Sequence, residues 1–360
     1  MKTFDEVFVD KTRYGIKVQT SEYKESGSHI IIDQGQSKIA GYTDREEGVF
    51  KEVPVIIFGD HTRVIKYVDQ PFYLGADGVK VLRSKDENAN YKYLYYALKN
   101  VKIPDTGYNR HYKWLKEIQI EYPDSNEQAK IVNILDKVSD VISKRKDELI
   151  DLDNLIKARF VELFGDSVSN PYGYLKDKLE KHIDLLSGYP FKSEQYVEEG
   201  VNICGGLIIM PQKIKWNECV HWNSEEGFED YLLNENDIVM ALDRPWISEG
   251  LKMAKVDAEH LPALLIQRTA RIRAIDINQD YLYYCFINGG FDKHSNITGS
   301  LVPHISAKDI RSFEIMIPPA ELQKQFADFV HQVDKSKVAV QKALDETQLL
   351  FDSLMQKYFI

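Results

Sequence analysis

The chain has 360 residues, 43% of them hydrophobic and 28% charged, which exceeds the usual ~100–200 residues of one domain. No apolar run approaches the ~18 residues of a membrane span. The formal charge is −10, with 19 basic and 18 acidic residues over 1–122 but 6 and 12 over 166–230, so there is no continuous basic stripe and any DNA contact must rest on sparse, placed cations. The opening MKTFDEVFVD carries acidic residues where a signal peptide needs a basic and then an apolar stretch, and a cytoplasmic location is expected. Cys204, Cys219 and Cys285 stand without a CxxC or a Cys/His cluster, so neither a disulfide framework nor a metal site is expected.

In chain order, the spacing predicts short strands at 29–32, 53–58 and 79–82 between Gly, Asn and Asp turns. A short helix around Tyr93-Leu94-Tyr95-Tyr96, a turn with His111 and an apolar strand follow, and Tyr122-Pro123 opens a long helix. Ile131, Leu135, Val138, Ile142, Leu149, Leu152, Ile156 and Leu163 fall on steps of three and four, interrupted by Arg145 and Arg159, which is coiled-coil spacing. Proline is expected in the first helical turn, where its missing N–H is not needed. The stretch 165–173 is polar and turn-rich, the natural linker.

The order then repeats. Strands are predicted at 237–242 and 270–275, followed by Tyr281-Leu282-Tyr283-Tyr284, His304, Ile317-Pro318 and a second long helix striped by Phe326, Val330, Val333, Val340, Leu344, Phe351, Leu354 and Tyr358, with Lys337 and Thr347 interrupting. Gln128 meets Gln323, Val138 meets Val333, Leu155 meets Leu350 and Phe164 meets Phe359 at an offset of 195 residues, and the tyrosine helices match at 188. An internal duplication predicts a duplicated architecture. The expected class is α+β, with a domain over 1–122, a helix over 123–165, a linker over 166–173, a second domain over 174–317 and a second helix over 318–360. The helices are expected to form an antiparallel coiled coil under a pseudo-two-fold axis, each roughly 60 Å long at ~1.5 Å per residue. Two unrelated amphipathic helices lying on globular cores are the alternative.

Further motifs carry a family resemblance. The first half holds Ile32-Asp33-Gln34-Gly35-Gln36, Ile39-Ala40-Gly41-Tyr42-Thr43, Phe58-Gly59-Asp60-His61-Thr62-Arg63 and Gly75-Ala76-Asp77-Gly78. The second holds Gly188-Tyr189-Pro190-Phe191-Lys192-Ser193, Asn236-Asp237-Ile238-Val239-Met240, Leu265-Ile266-Gln267-Arg268 and His304-Ile305-Ser306-Ala307-Lys308-Asp309-Ile310. In this order, with a long helix after each domain, the chain resembles Type I restriction–modification DNA specificity subunits along nearly its whole length. The resemblance implies that each domain reads half of a split DNA target, that the helices fix the gap, and that they dock two modification subunits. Those partners hold S-adenosylmethionine and methylate adenine N6, and restriction subunits add an ATP- and Mg-dependent motor-nuclease; the chain itself is expected to carry no cofactor and no catalytic residue.

The candidate readers have bidentate or stacking side chains in turn-rich segments. Gln34 and Gln36 suit adenine, and Arg63, Arg244 or Arg268 suit guanine. Lys38, Lys113, Lys192, Lys213, Lys215 and Lys308 suit phosphates, while Tyr42, Trp216 and Trp246 could pack on sugars or an extruded base. His61 and Thr62 share the Arg63 turn. His111 and His304 fit organisers of the turn before a strand, with His304 kept among the candidate DNA contacts. Asn170-Pro171-Tyr172 is similar to the Asn-Pro-Pro-Tyr loop of adenine methyltransferases but lacks its second proline and follows no Gly-rich cofactor loop; a turn is the plainer reading. The rival functions are a free-standing DNA methyltransferase or nuclease and a coiled-coil scaffold.

Overall fold

The computed structural model describes the chain except Ala76, Tyr108, Val168, residues 296–303 and Ile360, so Ala76 of the Gly75–Gly78 motif and Val168 of the linker lie outside the described residues. Two compact units are present, one made of 1–147 and 341–360 and the other of 148–340. Each therefore contains one globular body and part of both long helices, Ser125–Phe164 and Ala320–Phe359.

The first unit is built on strands β1 (Phe8–Asp10), β2 (His29–Ile32), β3 (Gly41–Thr43), β4 (Val55–Gly59), β5 (Ile65–Val68), β6 (Phe72–Leu74) and β7 (Val79–Ser84). One sheet has the order β1-β7-β4-β5 and the other β3-β2-β6. β4 is central in its sheet, and all five of its residues are buried, as expected of an apolar run that pairs on both edges. The second unit uses β8 (Ile183–Ser187), β9 (Val201–Cys204), β10 (Val220–Trp222), β11 (Ile238–Ala241), β12 (Met253–Lys255), β13 (Ala263–Leu265) and β14 (Thr269–Ala274). Its sheets run β8-β14-β11-β12 and β10-β9-β13, the same plan. In both units the middle strand of the smaller sheet has one parallel neighbour, β6 or β13.

The duplication extends to individual hydrogen bonds. Asn90 caps the helix Tyr91–Lys99 by accepting from the Tyr93 amide, and Asn278 caps Gln279–Asn288 by accepting from Asp280 and Tyr281; Asn is among the best residues for this, since its side-chain oxygen satisfies amides that the first turn leaves open. Tyr93 is fully buried, donates to the Glu121 carbonyl at 2.8 Å and packs on Phe359 with centroids 5.3 Å apart. Tyr281 is equally buried, donates to the Met316 carbonyl at 2.7 Å and packs on Phe164 at 4.8 Å. Each unit thus closes on the aromatic end of a long helix.

In the second unit the long helices run antiparallel, because Asp153 meets Lys337 at 2.6 Å while Phe160, further along the first, meets Phe326, further back on the second. Lys337, which breaks the apolar stripe, is thereby accounted for as one half of an ion pair. In the first unit Tyr96 joins the two, donating to Asp136 at 2.7 Å and packing on Phe351. The prolines depart from the expected first-turn position. Pro123 lies before Asp124, whose carboxylate caps the helix by accepting from the amides of Asn126 and Glu127, both at 2.9 Å, so the side-chain cap, not the ring, begins the helix. Both prolines still serve, through their carbonyls: Gln128 and Gln323, each 4% exposed, donate Nε2 to Pro123 and Pro318 at 2.9 and 2.8 Å.

Candidate nucleic-acid interface

In the first unit, the turn after β2 and the turn between β4 and β5 are tied together through Gln34. Its Oε1 accepts from the His61 amide at 3.2 Å, its Nε2 donates to the Asp77 carbonyl at 3.0 Å, and its own carbonyl accepts from Thr62 Oγ1 at 2.5 Å. The amide expected to read adenine is therefore engaged on both sides as a brace, whereas Gln36 is exposed. Under this turn lies Lys66, 6% exposed, which donates to the Ser37 carbonyl at 2.6 Å and to Asp33 at 3.3 Å. Burial lowers its pKa against the opposing pull of Asp33. In the second unit Lys252, 9% exposed and also lowered by burial, donates to the Gly206 carbonyl in the turn after β9. A buried ammonium is costly unless it is paired or hydrogen-bonded, and each of these two is held by a backbone carbonyl of the corresponding turn.

Arg63 is held at 2.8 Å to Asp105 and donates more weakly to the Ile103 carbonyl. Hydrogen bonds from the Gly107 amide and then from Arg63 keep the Asp105 carboxyl below its usual range. Next to it, Asp60 is 3% exposed; its carbonyl accepts from the His111 amide and from Nδ1, at 2.8 and 3.0 Å, and its carboxylate accepts from the Tyr112 amide at 2.7 Å. His111 is fully buried, as fits a residue that organises the turn.

The second unit has a more open version. Asp243 accepts from His304 Nδ1 at 2.7 Å and pairs with Arg268 at 3.3 Å, and the Arg268 side chain is 75% exposed. Arg244 is exposed beside them. Arg63, Arg244 and Arg268 all have left-handed backbone, at φ 61°, 46° and 64°. Such values are uncommon for long side chains, cost of order 1–3 kcal/mol each and gather at functional sites.

Several predicted residues lie elsewhere. Trp216 is 6% exposed, donates Nε1 to Asp257 at 2.7 Å and stacks on His260, which places it in the core and not on a sugar-facing surface. Trp246 stacks on Phe291 at the edge of the second unit's core. Tyr42 is half-buried in β3 against the core that the two sheets share. Lys113 leans on Trp114, Lys215 pairs with Glu218 at 3.0 Å, and Lys192, Lys213 and Lys308 are exposed without joining the Asp243 cluster. Sequence reasoning did not single out Asp243, Lys66 or Lys252, nor Leu207, which is 91% exposed beside Gly206. Their partners are far away in sequence, so spacing carried no signal.

Two α+β bodies with matching turns, each joined to a 40-residue helix, define a protein made of two recognition-type domains on a helical scaffold. The chain belongs to the Type I restriction modification DNA specificity domain family, whose domain matches residues 3–152 and 188–347. It is 25% identical to the Type I restriction enzyme EcoR124I/EcoR124II specificity subunit of Escherichia coli, over 90% of this chain and 83% of that one. It is also 33% identical to the EcoAI specificity subunit of Escherichia coli over 51% of this chain, a match that spans only 33% of that relative. The fold is shared with the crystal structure of a Type I restriction–modification S subunit from M. genitalium, at a TM-score of 0.59 and 18% identity, covering 100% of this chain and 95% of that one.

Proposed function

We propose that this chain reads a split DNA target for a Type I restriction–modification complex, one half through the turns around Gln36 and Arg63 and the other through those around Arg244 and Arg268. The long helices set the gap between the halves and dock two modification subunits, while S-adenosylmethionine, ATP and Mg belong to the modification and restriction partners. One observation carries the reading: the two units share sheet order, helix caps and buried tyrosine bonds, yet present different side chains at corresponding turns. A frame shared by both units with differing turns suits two modules that read different base sequences, since base identity is read by side chains and not by the frame. Sequencing methylated DNA from cells with and without this chain, beside its modification subunits, tests it. A two-part motif should appear only with the chain. Methyl transfer from labelled S-adenosylmethionine by the pure chain would overturn the non-catalytic reading in favour of a free-standing enzyme.

A further inference from the structure

The first unit contains a groove of about 890 Å³ between its globular body and the first long helix. At one end it is lined by Gln36, Lys38, Thr62 and Arg63, the candidate reading turns, and further along by Lys92, Lys99 and Lys102, facing Asp136 and Asp140 of the helix. We propose that this groove is a phosphate track for duplex DNA, continuing from the half-site read by those turns. The proposal rests on the DNA-reading function proposed above.

The charges sort into two sets. Lys92 is paired with Asp136 at 2.5 Å, Arg63 with Asp105, and buried Lys66 with Asp33. Lys38, Lys99 and Lys102 are exposed and have no acidic partner within ion-pair distance among the described residues; Lys99 rests over the rings of Tyr95 and Phe351, each 5.7 Å away. On the helix wall Asp136 is neutralised by Lys92, which leaves Asp140 as the one opposing charge among the described lining residues. Three lysines without a carboxylate partner among the described residues thus line one groove.

The duplication supplies an internal control. At the 188-residue offset of the tyrosine helices, Lys92 corresponds to Asp280 and Lys99 to Ile287. Asp280 in turn meets His331 at 3.0 Å, at the helix position that corresponds to Asp136, so the carboxylate of the contact sits on the other element. The frame therefore does not require lysine at either place, which leaves Lys99 free to serve a partner that the first unit meets. Phosphates fit better than a protein carboxylate surface, because the groove opens directly off the candidate reading turns. Lysine on a flexible stem, moreover, suits a point contact to phosphate that positions DNA without selecting bases.

The test uses the complex with its modification subunits and a mixed-sequence DNA duplex, and compares the parent with a Lys38→Gln/Lys99→Gln/Lys102→Gln variant over a salt series. Each phosphate contact contributes about 0.9 to the slope of log K against log salt. The slope should fall by about 2–3, equally for target and non-target DNA, with the methylated motif unchanged, and arginine at all three positions should restore it. A parental slope in an assembled variant would overturn the track. So would loss of modification-subunit binding with DNA contacts intact, which would make the groove a protein interface. If the parent complex bound no DNA at all, the function proposed above would fail together with the groove.

Discussion

Asp243 is the residue on which the second unit's turn depends, because one carboxylate holds both Arg268 and His304. Arg268 is mostly solvent-exposed, so its ion pair adds little stability. Its worth is orientation: a guanidinium pinned at one end offers its fork in a fixed direction. Under the proposed function, Arg268→Ala should cost about 1–3 kcal/mol at one base position and relax only the second half of the target. Asp243→Asn should give a weaker form of the same change, with thermal stability nearly unaltered. Methylated-motif sequencing reads both; equal weakening on all sequences would instead mark Arg268 as a phosphate contact. At this scale the sequence was half legible. Arginines in Gly- and Asp-rich turns drew attention, and their left-handed backbone gives that attention a physical basis. Trp216 misled because indole at a turn looks the same whether it faces solvent or turns inward, and its inward choice is fixed by Asp257, 41 residues away.

At the scale of elements, the long helices were the most legible feature, since a stripe of steps of three and four survives any detail of packing. What the stripe left out was the most deeply buried aromatic rings of the first helix. Phe160 and Phe164 are at most 1% exposed, whereas Leu155, which the duplication had matched to Leu350, is 48% exposed. The reason is that the helix ends pack against the tyrosine helices as well as each other, and aromatic rings fill that wider space: Phe164 contacts Phe160, Tyr281 and Phe326, all within 5.5 Å. Phe164→Ala should therefore cost about 3–5 kcal/mol. Phe359→Ala, at the corresponding but half-buried position, should cost roughly half as much, in proportion to the apolar area it hides. Chemical denaturation of both variants checks the order; equal losses would show that the two helix ends are anchored alike.

For the whole molecule, the sequence disclosed the duplication but not how the chain is shared between the units. The sequence sets each helix apart as a segment of its own after a domain, and the structure adds that both helices pass from one compact unit to the other, near Asp147 and near Val340. That is invisible in sequence because the contacts that decide it, such as Tyr93 with Phe359, join residues hundreds of positions apart. The proposed function makes the gap between half-sites a property of the helices and base identity a property of the turns, and the two can be separated. Inserting four residues after Asp147 and four after Val340 would lengthen both helices by roughly 6 Å, nearly two base pairs at about 3.4 Å each. Four residues are close to one turn, so the apolar stripe keeps its facing, whereas two residues would rotate it by roughly 200° and expose it. The lengthened chain should fold and should direct methylation to the same two half-sites with one or two more unspecified bases between them. The two-residue variant should instead lose stability. A stable four-residue variant that methylated the original spacing, or a motif with altered half-site bases, would show that the helices do not set the gap.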